Sequence, residues 1–135
     1  INHCAQITQE QMFNTIDADG QKIILKYVRL QDSGAITMSV SFNHKGNQLY
    51  WFPKEPKLNP HTGTYGLKLA GSHHHKPINS NKNSAMKNAS GSTTFITRMM
   101  GENFFEAECH PEISPTIVFS IALSSIVGPS IDNSV

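Results

Sequence analysis

The chain has 135 residues and a formal net charge of +1, with 38% apolar and 16% charged residues. A chain of this length fits one domain and can bury about two thirds of its unfolded surface, so we expect a folded protein with a substantial core. The modest charge and the many Ser, Thr and Asn residues exclude charge-rich disordered chains and helix bundles built from Glu, Lys and Leu.

The N-terminal segment predicts a short helix. Thr8 and Gln11 have the spacing of a capping box, which satisfies the free backbone donors at a helix start. Apolar residues then recur at helical spacing over residues 9–16, and Asp19-Gly20 is a typical helix end. We therefore expect one helix here, followed by strands.

Most of the remaining chain has the patterns of strands. Residues 21–31 carry apolar groups on both faces, whereas residues 35–42 alternate apolar and hydroxyl side chains. A glycine turn then leads to residues 48–52, the second arm of a hairpin. Prolines break the strand pattern over the next ten residues, because proline lacks the backbone donor that an interior strand needs. Further strands are predicted at 64–71, 92–100, 103–109 and 116–123.

These elements predict a mainly β fold. We expect an antiparallel β-sandwich or small barrel of about seven strands with one short N-terminal helix. The whole chain, residues 1–135, is expected to be a single secreted β-rich domain with a long basic loop at 72–92. No apolar run reaches the ~20 residues that a membrane-spanning helix needs, so we expect no membrane span.

The two ends of the chain suggest export. The chain begins with Ile1 rather than Met, which favours removal of a preceding segment such as a signal peptide. Cys4 and Cys109 lie far apart in the sequence, a pattern typical of one disulfide in an oxidising compartment. We therefore expect a secreted or periplasmic protein with a Cys4–Cys109 disulfide, two unrelated buried thiols being the alternative.

Histidines in and near the 72–92 segment suggest a metal site. Neutral imidazole is a common ligand of Zn, Cu and Ni, and His73, His75 and His61 are the candidate ligands. Adjacent side chains of an extended chain point to opposite faces, so the run of three histidines at 73–75 offers a metal at most two well-placed rings. We expect no obligatory cofactor, and a metal-binding protein is the alternative hypothesis.

Charge is distributed unevenly along the chain. Residues 44–98 hold seven Lys and one Arg against a single acid, Glu55, whereas residues 99–135 hold five acids and no base. This asymmetry favours either a basic face for an acidic partner or pairing of the two zones within one molecule. The basic zone lacks the dense repeats of cations and aromatics typical of nucleic-acid binding, so we expect no nucleic-acid partner.

The leading functional hypothesis is an exported, non-catalytic binding protein that contacts a protein or glycan through loops on a disulfide-pinned scaffold. An acidic partner is the functional interpretation of the basic zone, and internal pairing is its alternative. Aromatics beside a proline-rich loop are typical of partner contacts, although burial of the single Trp in the core is the alternative. The candidate binding residues are Tyr50, Trp51, Phe52, Lys54, Lys57, Tyr65, Lys76, Lys82 and Lys87.

An enzyme is the least favoured class. The sequence lacks the nucleophile elbow of serine hydrolases and the phosphate-binding glycine loops. Glu106 and Glu108 would share one strand face and Glu112 lies close by, so a carboxylate pair in a small hydrolase or an enzyme inhibitor is the second alternative. We predict no catalytic residues.

Overall fold

The computed structural model describes residues 11–67, 69, 80 and 82–129. Within these residues the fold is mainly β, as predicted, with one helix. The elements are β1 (Gln11–Ala18), β2 (Gln21–Arg29), β3 (Ile36–His44), β4 (Asn47–Pro53), β5 (Lys57–Asn59), β6 (Thr64–Gly66), β7 (Ser84–Lys87), β8 (Thr93–Gly101), β9 (Phe104–Cys109) and α1 (Pro115–Val127).

Seven strands form one antiparallel sheet in the order β1-β2-β3-β4-β7-β8-β9. The sheet curls into a half-barrel, and β5 and β6 form a separate two-stranded hairpin. Two-residue turns join β1 to β2 and β3 to β4, with positive φ at both turn residues: 54° and 74° at Asp19 and Gly20, 51° and 83° at Lys45 and Gly46. Such turns match the twist of the strands they join.

The predicted N-terminal helix is wrong where the structure describes the chain. Residues 11–18 form strand β1, and residues 9 and 10 lie outside the described residues. The Asp19-Gly20 pair is the hairpin turn between β1 and β2, and pairing with β2 along the whole of β1 overrides the weak helical spacing. Side chains of β1 alternate accordingly, with Ile16 and Ala18 more buried than Thr15 and Asp17.

The predicted strand at 116–123 is also wrong, because these residues lie in helix α1. The Ser114 side chain caps the helix by accepting from the Ile117 backbone N–H at 3.4 Å, and Pro115 occupies the first turn, where its missing donor costs nothing. Ile117 and Ile121 are buried, whereas Phe119 and Leu123 are exposed. A strand would have placed all four on one face, whereas a helix divides them into two pairs on different faces, Ile117 with Ile121 and Phe119 with Leu123.

Part of the predicted loop at 72–92 is a strand inside the sheet. β7 (Ser84–Lys87) pairs with β4 on one side and β8 on the other, and Ala85 and Met86 are each 2% exposed. Its four residues include only two apolar side chains, which are adjacent rather than alternating. The sequence therefore does not distinguish this strand from the polar segment around it. The histidines of this segment lie outside the described residues.

The core lies between the inner side of the sheet and α1. Trp51 is 4% exposed and packs edge-on against Phe42, with ring centroids 5.3 Å apart, and beside Phe95 at 5.9 Å. Ile117 and Ile121 bring the helix into the same cluster. Trp51 is therefore a core residue. Among the described helices, none is long and apolar enough to cross a membrane.

Candidate ligand-binding groove

A cavity of about 680 Å³ lies beside the C-terminal end of α1. Its walls come from the end of β2, the start of β3, the segment after β4, the β5–β6 hairpin and β7. We call this cavity the groove. Its volume falls in the range of roughly 300–1,000 Å³ that small-molecule sites occupy.

Three cationic residues line the groove, and no acidic residue does among the described lining residues. Arg29 Nη1 donates to the Gly34 carbonyl oxygen at 3.2 Å, which holds the guanidinium against the β2–β3 connection. Lys82 Nζ donates to the Ile126 carbonyl oxygen at 3.0 Å, at the negative end of the α1 dipole. The third cation is Lys54. Its backbone N–H donates to Ala85 O at 2.8 Å, which holds Lys54 beside β7. The groove therefore favours a negatively charged ligand.

Ser84 adds a polar group that the described residues leave unsatisfied. Its Oγ is buried in the groove lining, and no described residue lies within hydrogen-bonding distance of it. A buried hydroxyl without a partner costs about 1–3 kcal/mol, so such a group is usually kept for a ligand or an ordered water. Ser84 thus brings a buried hydroxyl without a described partner to the wall of the groove.

Tyr27 fixes the wall of the groove to the end of the helix. Its hydroxyl donates to the Ser124 carbonyl oxygen at 3.0 Å, and the residue is 3% exposed. Burial raises the pKa of this hydroxyl above its ordinary value, and a hydrogen bond with the Asn14 side chain opposes the shift. The neutral hydroxyl is a permanent donor to α1 near physiological pH.

The structure brings together three of the predicted binding residues and separates the others. Lys54, Tyr65 and Lys82 line the groove. Trp51 is not a surface contact, since it points into the core, and Lys76 lies outside the described residues. The remaining four, Tyr50, Phe52, Lys57 and Lys87, are exposed and do not line the groove.

Tyr50 and Phe52 form a pair on the outer side of the sheet, the side that faces away from α1. They alternate with Trp51 along β4, and their ring centroids lie 4.6 Å apart with an interplanar angle of 43°. Both residues are about two-fifths exposed, at 43% and 40%, and Lys87 is the register partner of Phe52 on β7. This pair does not line the groove.

The predicted metal ligands are not assembled by the described residues. His61 is exposed in the β5–β6 turn, where its backbone N–H donates to Asn59 Oδ1 at 2.9 Å, and His73 and His75 lie outside the described part of the chain. Within that part, no group of three or more His, Cys, Asp or Glu side chains is placed to hold a metal ion. Metal binding stays a prediction.

The predicted disulfide also stays a prediction. Cys109 carries a free thiol in the described structure, and Cys4 lies outside it. Burial raises the pKa of the Cys109 thiol to about 11, and a hydrogen bond with the His110 backbone opposes the shift. The thiol is therefore protonated and weakly nucleophilic near neutral pH.

Glu106 and Glu108 share one strand face, as predicted, and both bind one arginine. Arg98 is 2% exposed on the outer side of β8, and its two terminal nitrogens each lie 2.9 Å from a carboxylate oxygen, one from each glutamate. Arg98 belongs to the basic zone of the sequence and the glutamates to the acidic zone. The two zones therefore pair within the molecule at this point.

Comparisons with protein-family models, curated proteins and solved structures found no match for this chain. Sequence reasoning missed Tyr27, Arg29 and Ser84 as groove residues. The spacing of two residues between Tyr27 and Arg29 could have placed them on one face of β2. Nothing in the local sequence could have shown that the end of α1 lies opposite that face.

Proposed function

We propose that this protein is an exported, non-catalytic binding protein that takes an anionic ligand in the groove. The observation that carries the proposal is that Lys54 and Lys82 line the cavity and that no acid occurs among its described lining residues. Like charges gathered in a concave surface raise the local concentration of a ligand of opposite charge. An anionic ligand in the groove agrees with the acidic partner that the basic zone of the sequence suggests.

A binding role rather than catalysis is supported by the chemistry of the same lining. The described lining residues include neither carboxylate nor His nor Cys, the side chains that most often serve as general base or thiol nucleophile. Ser84 is present, but a serine nucleophile needs an adjacent base to accept its proton. The described groove supplies hydrogen bonds and positive charge, which suit recognition.

The test is a thermal-shift and calorimetric screen of purified protein against anions of different size. The panel contains citrate, hexaglutamate, a sulfated oligosaccharide and dodecanoate. A ligand that binds only the folded state raises Tm. We expect at least one anion to do so, with an affinity that falls as salt concentration rises, since salt screens charges near the surface.

Two matched variants locate the site. Lys54→Met keeps the length of the side chain and removes its charge, and should weaken binding about tenfold, the effect of losing one charge-assisted hydrogen bond. Lys87→Met makes the same change on the outer side of the sheet, away from the groove, and should leave binding unchanged. Equal losses in the two variants, or no binding of any anion, would refute the proposal.

A further inference from the structure

We propose that the ligand of the groove is a single-chain lipid anion, an alkyl chain that ends in a carboxylate. This inference rests on the proposed function, that the groove binds an anion, and adds that the anion carries an alkyl chain. Its basis is the placement of apolar side chains beside the cations.

The groove has an apolar floor and an apolar rim. Met38 and Met86 lie in the lining and are 7% and 2% exposed. Ile36, Tyr65 and Val127 also line the groove, yet they are 43%, 40% and 68% exposed. Thioether side chains adapt to chains of varied shape, and exposed apolar groups at the mouth of a cavity are covered favourably by an apolar ligand.

The apolar rim continues along the helix away from the groove. Phe119, Leu123 and Val127 are spaced by four residues, so they lie on one face of α1, and all three are exposed. No charged residue occurs in α1. An alkyl chain that leaves the groove past Val127 therefore meets further apolar surface.

The polar groups suit the head of such a ligand. A carboxylate carries two oxygens that accept several hydrogen bonds. Lys54 and Lys82 supply charged donors in the groove lining. A small polar anion would satisfy these groups and leave the apolar lining in water, whereas an alkyl carboxylate covers both.

The experiment is calorimetric titration of the full chain with saturated fatty acids of 8, 10, 12 and 14 carbons, each below its aggregation concentration. Burial of each added methylene should raise affinity about two- to fourfold. Dodecyltrimethylammonium and dodecanol have the chain of dodecanoate without its negative charge, and should bind at least about tenfold more weakly because they lack the charge that the lysines attract.

Two variants of the same helix test the path of the chain. Val127→Asn places an amide in the lining and should reduce the gain per methylene. Phe119→Asn changes a similarly exposed residue that lies eight positions farther along the same helix face, outside the groove, and should have a smaller effect. Circular dichroism of both variants checks that α1 is intact. Equal effects of the two substitutions on the gain per methylene would contradict the proposed path.

The outcomes separate this inference from the proposed function. If citrate, hexaglutamate or the sulfated oligosaccharide binds as tightly as dodecanoate, or if affinity does not rise with chain length, the ligand is not a lipid anion and the groove still binds anions. If dodecyltrimethylammonium binds as well as dodecanoate, apolar contact alone explains binding and the inference fails. If no anion binds, both proposals fail.

Discussion

The two sides of the sheet hold their cations in different ways. On the outer side, Arg98 lies between Glu106 and Glu108, with both nitrogen–oxygen distances at 2.9 Å. On the inner side, Lys54 and Lys82 line the groove, whose described lining residues include no acid. A cation paired with carboxylates is compensated within the protein, whereas our proposal assigns the compensation of these two lysines to an anionic ligand.

Aromatic residues show the same contrast between the two sides. Trp51 on the inner side packs against two other rings in the core, whereas Tyr50 and Phe52 on the outer side touch each other and remain about two-fifths exposed. Three consecutive residues of β4 thus divide between core and surface because side chains alternate along a strand. Matched substitutions on the two sides test this division, and the largest effect is expected at Trp51.

Trp51→Ala should lower the free energy of unfolding by about 3–5 kcal/mol, because it leaves a cavity among Phe42 and Phe95. Phe52→Ala is the matched change on the outer side and should cost about 1–2 kcal/mol, since this residue is 40% exposed. Urea unfolding at equilibrium measures both values. Similar costs at the two positions would contradict the assignment of inner and outer sides.

Arg98→Ala should lower the free energy of unfolding by about 2–4 kcal/mol, because the substitution removes a buried side chain and both ion pairs. The two glutamates are 37% and 63% exposed and can be rehydrated, which limits the cost. Affinity of anions for the groove should not change. A loss of binding with little loss of stability would place the binding site on the outer side instead.

Tyr27→Phe should lower the free energy of unfolding by about 1 kcal/mol, because it removes the hydrogen bond to Ser124 O at the end of α1. The carbonyl oxygen keeps its bond from the Gly128 backbone N–H, so the cost stays moderate. Tyr50→Phe removes an exposed hydroxyl and should change stability by less than about 0.5 kcal/mol. Thermal unfolding of the two variants compares the inner and outer hydroxyls, and an equal loss would count against the role of Tyr27.

Stability of the reduced protein should fall as pH rises from about 9 to about 11. Burial raises the pKa of Cys109 from 9.0 to about 11, so the unfolded chain loses the thiol proton first and deprotonation favours unfolding. The pKa of Tyr27 shifts in the same direction from its ordinary value of 10.0. Urea unfolding across this pH range measures the slope, and a rise in stability would contradict both assignments.

Cys109→Ala is the control for the contribution of the thiol and should reduce that slope. Oxidation offers a test of the predicted Cys4–Cys109 disulfide in the same experiment, because a disulfide has no proton to lose. If mass spectrometry shows the disulfide, the oxidised protein should lack the Cys109 part of the pH dependence. Two alkylatable thiols after exposure to an oxidant would refute the disulfide.

The local sequence pattern was sufficient to predict the hairpin formed by β3 and β4. β3 and β4 were predicted because residues 35–52 contain a strict alternation, a glycine turn and a second apolar run. β7 was missed because its four residues owe their burial to strands on both sides rather than to their own pattern. The region of β1 was predicted as a helix and the region of α1 as a strand. Both errors have one cause, because apolar residues spaced by four positions occur in a helix and in an alternating strand.

Residue types and spacings of a few positions were enough to predict the mainly β fold class, the hairpin turn between β3 and β4 and the separation of basic and acidic zones. They also singled out Lys54, Tyr65 and Lys82, which line the groove. The turn at Asp19-Gly20, the pairing of Arg98 with the acidic zone and the position of the groove cations beside α1 were established by the three-dimensional structure alone. The last of these depends on contacts between residues tens of positions apart, such as Lys82 Nζ with Ile126 O and Tyr27 Oη with Ser124 O, and such contacts leave no local pattern in the chain.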